Sequence, residues 1–202
     1  MFDRAALQLL RPGLTRAAQS LARAGVNADQ VTLFGFALGM VAAAAVVAHQ
    51  FMAALALLLL SRLCDGLDGA LARLSAPTDR GAFLDITLDF LFYASIPLAF
   101  ALANPAANAL AAAVLLAAFM GTASTFLAFA ALAAQRGLES VDYPAKGFYY
   151  LGGLTEATET LGCFAAMCLW PSYFAALAYA FAALCAMTIV MRLRFGWGAL
   201  SR

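Results

Sequence analysis

The chain has 202 residues, 65% of them hydrophobic and only 11% charged, with a formal net charge of +1. That balance excludes a soluble globular domain and an intrinsically disordered segment, and the absence of a net field argues against a nucleic-acid polymer as partner. It leaves an all-α, polytopic membrane protein.

Residues 1–30 interleave Leu7, Leu10, Leu14 and Leu21 with Arg4, Arg11, Arg16 and Arg23, so no uninterrupted apolar core of a signal peptide forms. The pattern predicts an amphipathic helix on the cytoplasmic interface, bent near Pro12 and Gly13. Asn27 and Thr32 stand at the entrance to the membrane domain, residues 31–202, where six stretches reach the length of about 20 residues that a spanning helix needs. Their spans are 31–49, 52–72, 82–102, 108–133, 147–169 and 173–194. Runs such as Ala53 to Leu60 and Ala109 to Phe119 are continuously apolar rather than alternating, which favours helices over barrel strands.

Arginine and lysine fall on every second connection: residues 1–30, then Arg73 and Arg80, then Arg136 and Lys146, then Arg192, Arg194 and Arg202. The other connections, near His49, Asn104 to Asn108 and Trp170 to Ser172, carry no formal charge. Both termini are therefore expected on the cytoplasmic side of an inner or cytoplasmic membrane. Cys64, Cys163, Cys168 and Cys185 lie in apolar stretches without metal-type spacing and read as small buried hydrophobes. Gly35 and Gly39 allow close helix packing, and Tyr149, Tyr150 and Trp197 suit an interfacial aromatic belt.

The informative charges are acidic. Of eight aspartates, five fall between residues 65 and 89. Asp65 and Asp68 share one face near the cytoplasmic end of the second span, with Gly69 and Arg73 beside them, and Gly81, Asp85 and Asp89 recur four residues apart on the third. Asp65 lies eight residues before Arg73 and Asp89 eight after Gly81, which puts both about 12 Å from the helix ends. Four carboxylates in low dielectric need compensation, and hard divalent ions, two of Mg²⁺ or Mn²⁺, would provide it. The plainer alternative is neutralisation by Arg62, Arg73 and Arg80.

Asp65-x-x-Asp68-Gly69-x-x-Ala72-Arg73, then seven residues, then Gly81-x-x-x-Asp85-x-x-x-Asp89 resembles the signature of the CDP-alcohol phosphatidyltransferase family, with all eight fixed positions filled. The resemblance implies an integral membrane enzyme of phospholipid biosynthesis. It would move a phosphatidyl group from CDP-diacylglycerol to a small polar alcohol and release CMP. It implies that Asp65, Asp68 and Asp85 hold two metal ions, with Asp89 completing the site and acting as general base. It also implies that Gly69, Arg73 and Gly81 bind the CDP part, that Thr32 or Asn27 touches the cytidine, and that the protein is a homodimer. Family members often carry Pro-Asn before Val-Thr at the start of the first span; here Asn27 to Thr32 contain no proline.

The acceptor is less legible. Glu156 and Glu159, in an unusually polar stretch of the fifth span, are expected at the depth of the aspartates, shaping an acceptor pocket or else making an interhelical contact. Arg80, Arg136, Lys146, Arg192 and Arg194 are candidates for an acceptor phosphate, while glutamates favour a hydroxyl-rich or amine-bearing alcohol. Two rival readings remain at this stage: a transporter whose intramembrane acids relay ions, and an enzyme that transfers a CDP-linked head group to a lipid alcohol.

Overall fold

The computed structural model describes residues 2–75, 78–136 and 153–201, with side chains described from residue 12 onward. Among the described residues seven α-helices follow in order: α1 (Phe2–Arg23), α2 (Ala28–Val47), α3 (Phe51–Ser75), α4 (Asp79–Ala103), α5 (Pro105–Gln135), α6 (Ala157–Leu169) and α7 (Phe174–Leu200), with a 3-10 turn at Pro171–Tyr173. No strand occurs among the described residues. α2, α4, α5 and the stretch from Pro171 to Leu200 are long and apolar enough to cross a membrane. α3 has the length, 25 residues, but carries Arg62, Asp65, Asp68 and Arg73, and α6 has 13 residues. The exposed side chains are those lipid would solvate: Phe83 and Leu110 are each 71% exposed and Met120 70%.

Local chemistry sets the helix ends. α1 runs through Pro12 as one helix and stops at Arg23, where Gly25 adopts φ 79°. The N–H groups of Gly25 and Val26 then close on the carbonyls of Ala22 and Leu21, an arrangement that needs a left-handed residue. α2 starts three residues before the expected boundary because Asn27 and Gln30 cap it reciprocally, each side chain accepting from the other's backbone N–H at 2.9 and 3.0 Å. Asn104 both ends α4 and caps α5, and Pro105 supplies the first turn of α5.

The expected continuous helix over 147–169 is corrected. Residues 147–152, with Tyr149 and Tyr150, lie outside the described residues, and residues 153–156 are not helical. The reason is a competing set of bonds. The N–H groups of Leu154 and Thr155 donate to Thr188 Oγ1 on α7 at 3.2 and 3.3 Å instead of to helical carbonyls. Gly153 approaches Thr188 so closely that a Cβ there would collide with its methyl group. Glu156 is consequently the N-cap of α6 rather than a residue inside a span.

The main core joins α2 to α7. Phe92 and Phe100 of α4, Phe164 and Met167 of α6, and Phe174 of α7 are fully or almost fully buried, and the Phe100 and Phe174 rings stack at 4.6 Å. In water, burying such side chains would contribute about 1.5–3 kcal/mol each; in a bilayer, close packing supplies the association instead. A second cluster seats α1 against α3, with Ala18 buried among Val31, Cys64, Ala70 and Leu71. It places Leu14 over Gly66, immediately beside Asp65.

Candidate active site

α2 packs against both α3 and α4, and across it the side chains at their charged ends converge. A Cβ on Gly35 would lie 2.9 Å from Cys64 Cβ, and one on Gly39 would lie 2.5 Å from the Phe92 ring. Ser61 fixes the same contact by donating to the Gly35 carbonyl at 2.7 Å. Under this constraint one oxygen from each of Asp65, Asp68 and Asp85 falls within 4.8 Å of the others. Asp68 is 5% exposed, and its Oδ2 is buried with no hydrogen-bond partner among the described residues. A buried orphan carboxylate oxygen costs several kcal/mol by general estimate, ~1–3 even for an ordinary polar group. A hard cation would relieve that cost, so three carboxylates with an orphan oxygen fit Mg²⁺ or Mn²⁺ by donor chemistry.

Asp89 is not part of that group of three. Its Oδ1 accepts from Arg62 Nη1 at 2.6 Å, and the same nitrogen lies 3.4 Å from Asp65 Oδ1. Arg62 is thus paired as the plainer alternative supposed, whereas Arg80 pairs with Asp29 at the helix mouth.

Two cavities meet at the carboxylates. One, of about 370 Å³, is lined by Thr32, Asp68, Gly69, Arg73, Gly81 and Asp85, among others. It gathers the four residues expected around the nucleotide, together with Asn27. Gly69 lies beside the Arg73 head, where a Cβ would make ordinary contact with Nη1 at 3.5 Å. At Gly81 a Cβ would come within 3.1 Å of Thr78 Oγ1 and 3.2 Å of Asp29 Oδ1. Asn27 and Thr32 also serve their own helix, Asn27 as its cap and Thr32 by donating to the Ala28 carbonyl at 3.0 Å.

The other cavity, of about 280 Å³, is lined by Asp85, Asp89, Thr122, Glu156, Thr160 and Arg192, among others. Asp85 therefore belongs to both cavities. Glu159 is placed differently from Glu156: its Oε2 accepts from the Glu156 N–H at 3.2 Å, completing the α6 cap. Arg192, expected at the rim, is 8% exposed inside the bundle and donates to the Thr122 carbonyl at 3.0 Å. Thr160 belongs to the polar stretch expected to shape the acceptor pocket, whereas Thr122 and Thr188 were not singled out from the sequence. The spacing of Thr188 and Arg192, one helical turn apart on α7, was the available signal.

Comparison with known proteins places this geometry. The profile of the CDP-alcohol phosphatidyltransferase family matches residues 26–193. The chain is 50% identical over 197 residues to the inner membrane protein YnjF of Escherichia coli K12, covering 98% of this chain and 96% of that one. Its fold is similar to that of Mycobacterium tuberculosis phosphatidylinositol phosphate synthase with CDP-DAG bound, at a TM-score of 0.72 and 22% identity, covering 91% and 93% of the two chains. The same enzyme in complex with manganese and citrate matches at a TM-score of 0.71 and 23% identity, covering 91% and 88%.

Proposed function

The chain belongs to the CDP-alcohol phosphatidyltransferase family, and from that membership we propose that it transfers a phosphatidyl group from CDP-diacylglycerol to a small polar alcohol, releasing CMP. The observation that carries the reading is the meeting of two cavities at one set of carboxylates, a nucleotide side and an acceptor side with Asp85 common to both. The mycobacterial structure holding CDP-DAG in the same fold supports the donor.

Arg73, with Gly69 and Gly81 leaving space around it, binds the diphosphate of the donor; its planar fork suits two phosphate oxygens at once. Thr32 and Asn27 line the cytidine end of that cavity. Asp65, Asp68 and Asp85, with Asp89 completing the site, would hold divalent metal, two ions of Mg²⁺ or Mn²⁺, and the mycobacterial complex with manganese supports that choice of metal. When bound, the ions neutralise charge developing on the diphosphate and on departing CMP. On the acceptor side, Asp89 takes the proton of the acceptor hydroxyl as its oxygen attacks the phosphatidyl phosphorus. The new P–O bond forms as the bond to the CMP oxygen breaks, and the electron pair leaves with CMP. Glu156, with Thr122, Thr160 and Arg192, lines the space in which a hydroxyl-rich acceptor is oriented. Glu159 acts there through Glu156, by capping α6.

In this reading the chain crosses the inner membrane six times, α3 and α6 adding to the four longer apolar helices, with both termini and the site facing the cytoplasm. The arginines at alternate connections and the relative named as an inner membrane protein support it. α1 is the interfacial segment within residues 1–30, supported by its seat against α3.

The test is CMP release by purified protein in nanodiscs with CDP-diacylglycerol, Mg²⁺ or Mn²⁺, and a panel of glycerol 3-phosphate, inositol phosphate, inositol, serine and choline. Metal-dependent release with one acceptor, reduced at least about a hundredfold in Asp89→Asn, is expected. Folded protein that fails to bind CDP-diacylglycerol would overturn the assignment.

A further inference from the structure

Besides Asp85 and Asp89, the described lining of the acceptor cavity holds one anion and one cation, Glu156 and Arg192. Gly153 stands between them. Its N–H donates to Glu156 Oε1 at 3.2 Å. Its bare face lies against the Arg192 head, where a Cβ would come within 3.4 Å of Nη2 and 3.5 Å of Nε. Each charge also has a structural duty, Glu156 as the N-cap of α6 and Arg192 as donor to the Thr122 carbonyl at 3.0 Å. Neither duty calls for that residue type. Helix caps favour the shorter Ser, Thr, Asp and Asn, and a neutral donor would serve a carbonyl without the cost of burying a charge.

The hydroxyl groups around the two charges have committed their protons. Thr122 Oγ1 donates to the Phe119 carbonyl at 2.9 Å, and Thr160 Oγ1 to the Glu156 carbonyl at 2.8 Å. What these threonines keep for a ligand is lone pairs, and Asp89 and Glu156 add carboxylate oxygens. The lining is rich in acceptors and asks for a ligand rich in donors. A phosphate monoester brings a charge of about −1.5 to −2 and acceptor oxygens, so it would meet Asp89 and Glu156 as like charges. A neutral polyol would donate but would answer neither Glu156 nor Arg192 in kind. An ammonium, with three donors and no acceptor, suits Glu156 and the threonine lone pairs, and a carboxylate suits the planar fork of Arg192.

We propose that the acceptor is a small hydroxy-amino acid, its ammonium against Glu156, its carboxylate against Arg192 and its hydroxyl toward Asp89. The inference rests on reading the chain as a phosphatidyl transferase and narrows the small polar alcohol to one class, in place of a polyol. The bonds are those of that transfer. The side-chain oxygen of the amino acid forms the new P–O bond, its proton passes to Asp89, and the electron pair of the broken bond leaves with CMP. The product is a phosphodiester lipid that keeps both the ammonium and the carboxylate.

The experiment measures CMP release by the full-length protein in nanodiscs with CDP-diacylglycerol and Mg²⁺ or Mn²⁺, donor binding being followed in parallel. The acceptors are L-serine and two truncated analogues: ethanolamine lacks the carboxylate and 3-hydroxypropionate lacks the ammonium. L-serine is expected to give the highest kcat/KM, each analogue falling at least about tenfold below it. Analogues within about threefold of L-serine would overturn the proposal. Glu156→Gln should lower kcat/KM about tenfold for L-serine and ethanolamine and spare 3-hydroxypropionate. Arg192→Gln should lower it for L-serine and 3-hydroxypropionate and spare ethanolamine. Equal losses on all three compounds in both variants would make the two charges structural only and refute the assignment. Faster release with inositol, inositol phosphate or glycerol 3-phosphate than with L-serine would overturn the amino-acid acceptor and leave the transferase standing. Release with no acceptor, by protein that binds CDP-diacylglycerol, would overturn both.

Discussion

Thr188 holds three groups with one hydroxyl. It is fully buried, takes the backbone N–H groups of Leu154 and Thr155, pairs with the Thr155 hydroxyl at 3.0 Å, and returns its own proton to the Leu184 carbonyl or to that partner. Valine has the same shape without the oxygen, so Thr188→Val takes the acceptor from two part-buried N–H groups, at up to about 1–3 kcal/mol each. The segment from Gly153 to Glu156 is then released from α7. We expect the KM for the acceptor to rise about tenfold with CDP-diacylglycerol affinity unchanged, measured by steady-state CMP release and lipid-nucleotide binding. The contrast with the aspartates shows what was legible. Asp65 with Asp68, and Asp85 with Asp89, could be read because each pair lies within one helix, fixed by a 3.6-residue repeat. The hold of Arg62 on Asp89, and of Thr188 on residues 154–155, crosses between helices and has no spacing to reveal it.

At the scale of elements, the long apolar helices were readable to within a few residues because length and apolarity suffice to define them. The start of α6 was not, since Gly152-Gly153 and the following threonine stretch look like a tolerable polar patch until Thr188 is known to compete for their N–H groups. Gly35 and Gly39 were read as a packing motif, and the structure gives that motif a consequence for the site. A side chain at Gly39 would enter the space of the Phe92 ring, and Phe92 is the platform on which Arg62 rests. Gly39→Val therefore overpacks a buried contact at a cost of about 1–3 kcal/mol. It also tilts the platform. The expected outcome is a lower melting temperature in detergent together with a fall in turnover larger than that of Leu102→Ala, a change at a lipid-facing position that is 59% exposed. Equal effects in the two variants would mean that the α2–α4 contact does not reach the site.

At the scale of the whole molecule, the bundle divides the proposed donor and acceptor sides between two cavities. The nucleotide cavity is built from α2, α3 and α4. The acceptor cavity is built from α4, α5, α7 and the start of α6. Among the described residues only α4 contributes to both, through Asp85, so damage on one flank should not travel to the other. Arg73→Ala removes a charge-assisted phosphate contact of about 1.5–3 kcal/mol, and we expect the KM for CDP-diacylglycerol to rise about ten- to a hundredfold with the acceptor KM unmoved. Glu156→Gln keeps a side-chain oxygen to accept from the Gly153 N–H at 3.2 Å and leaves the Glu159 side of the α6 cap in place, while deleting the charge on the proposed acceptor cavity. It should change the acceptor KM or the preferred acceptor and leave the donor KM alone. Combined, the two should multiply, because their side chains line different cavities on opposite sides of the carboxylates. A double variant whose donor and acceptor KM values both depart from the products of the single effects would show that the flanks are coupled, and that α4 transmits binding on one side to geometry on the other.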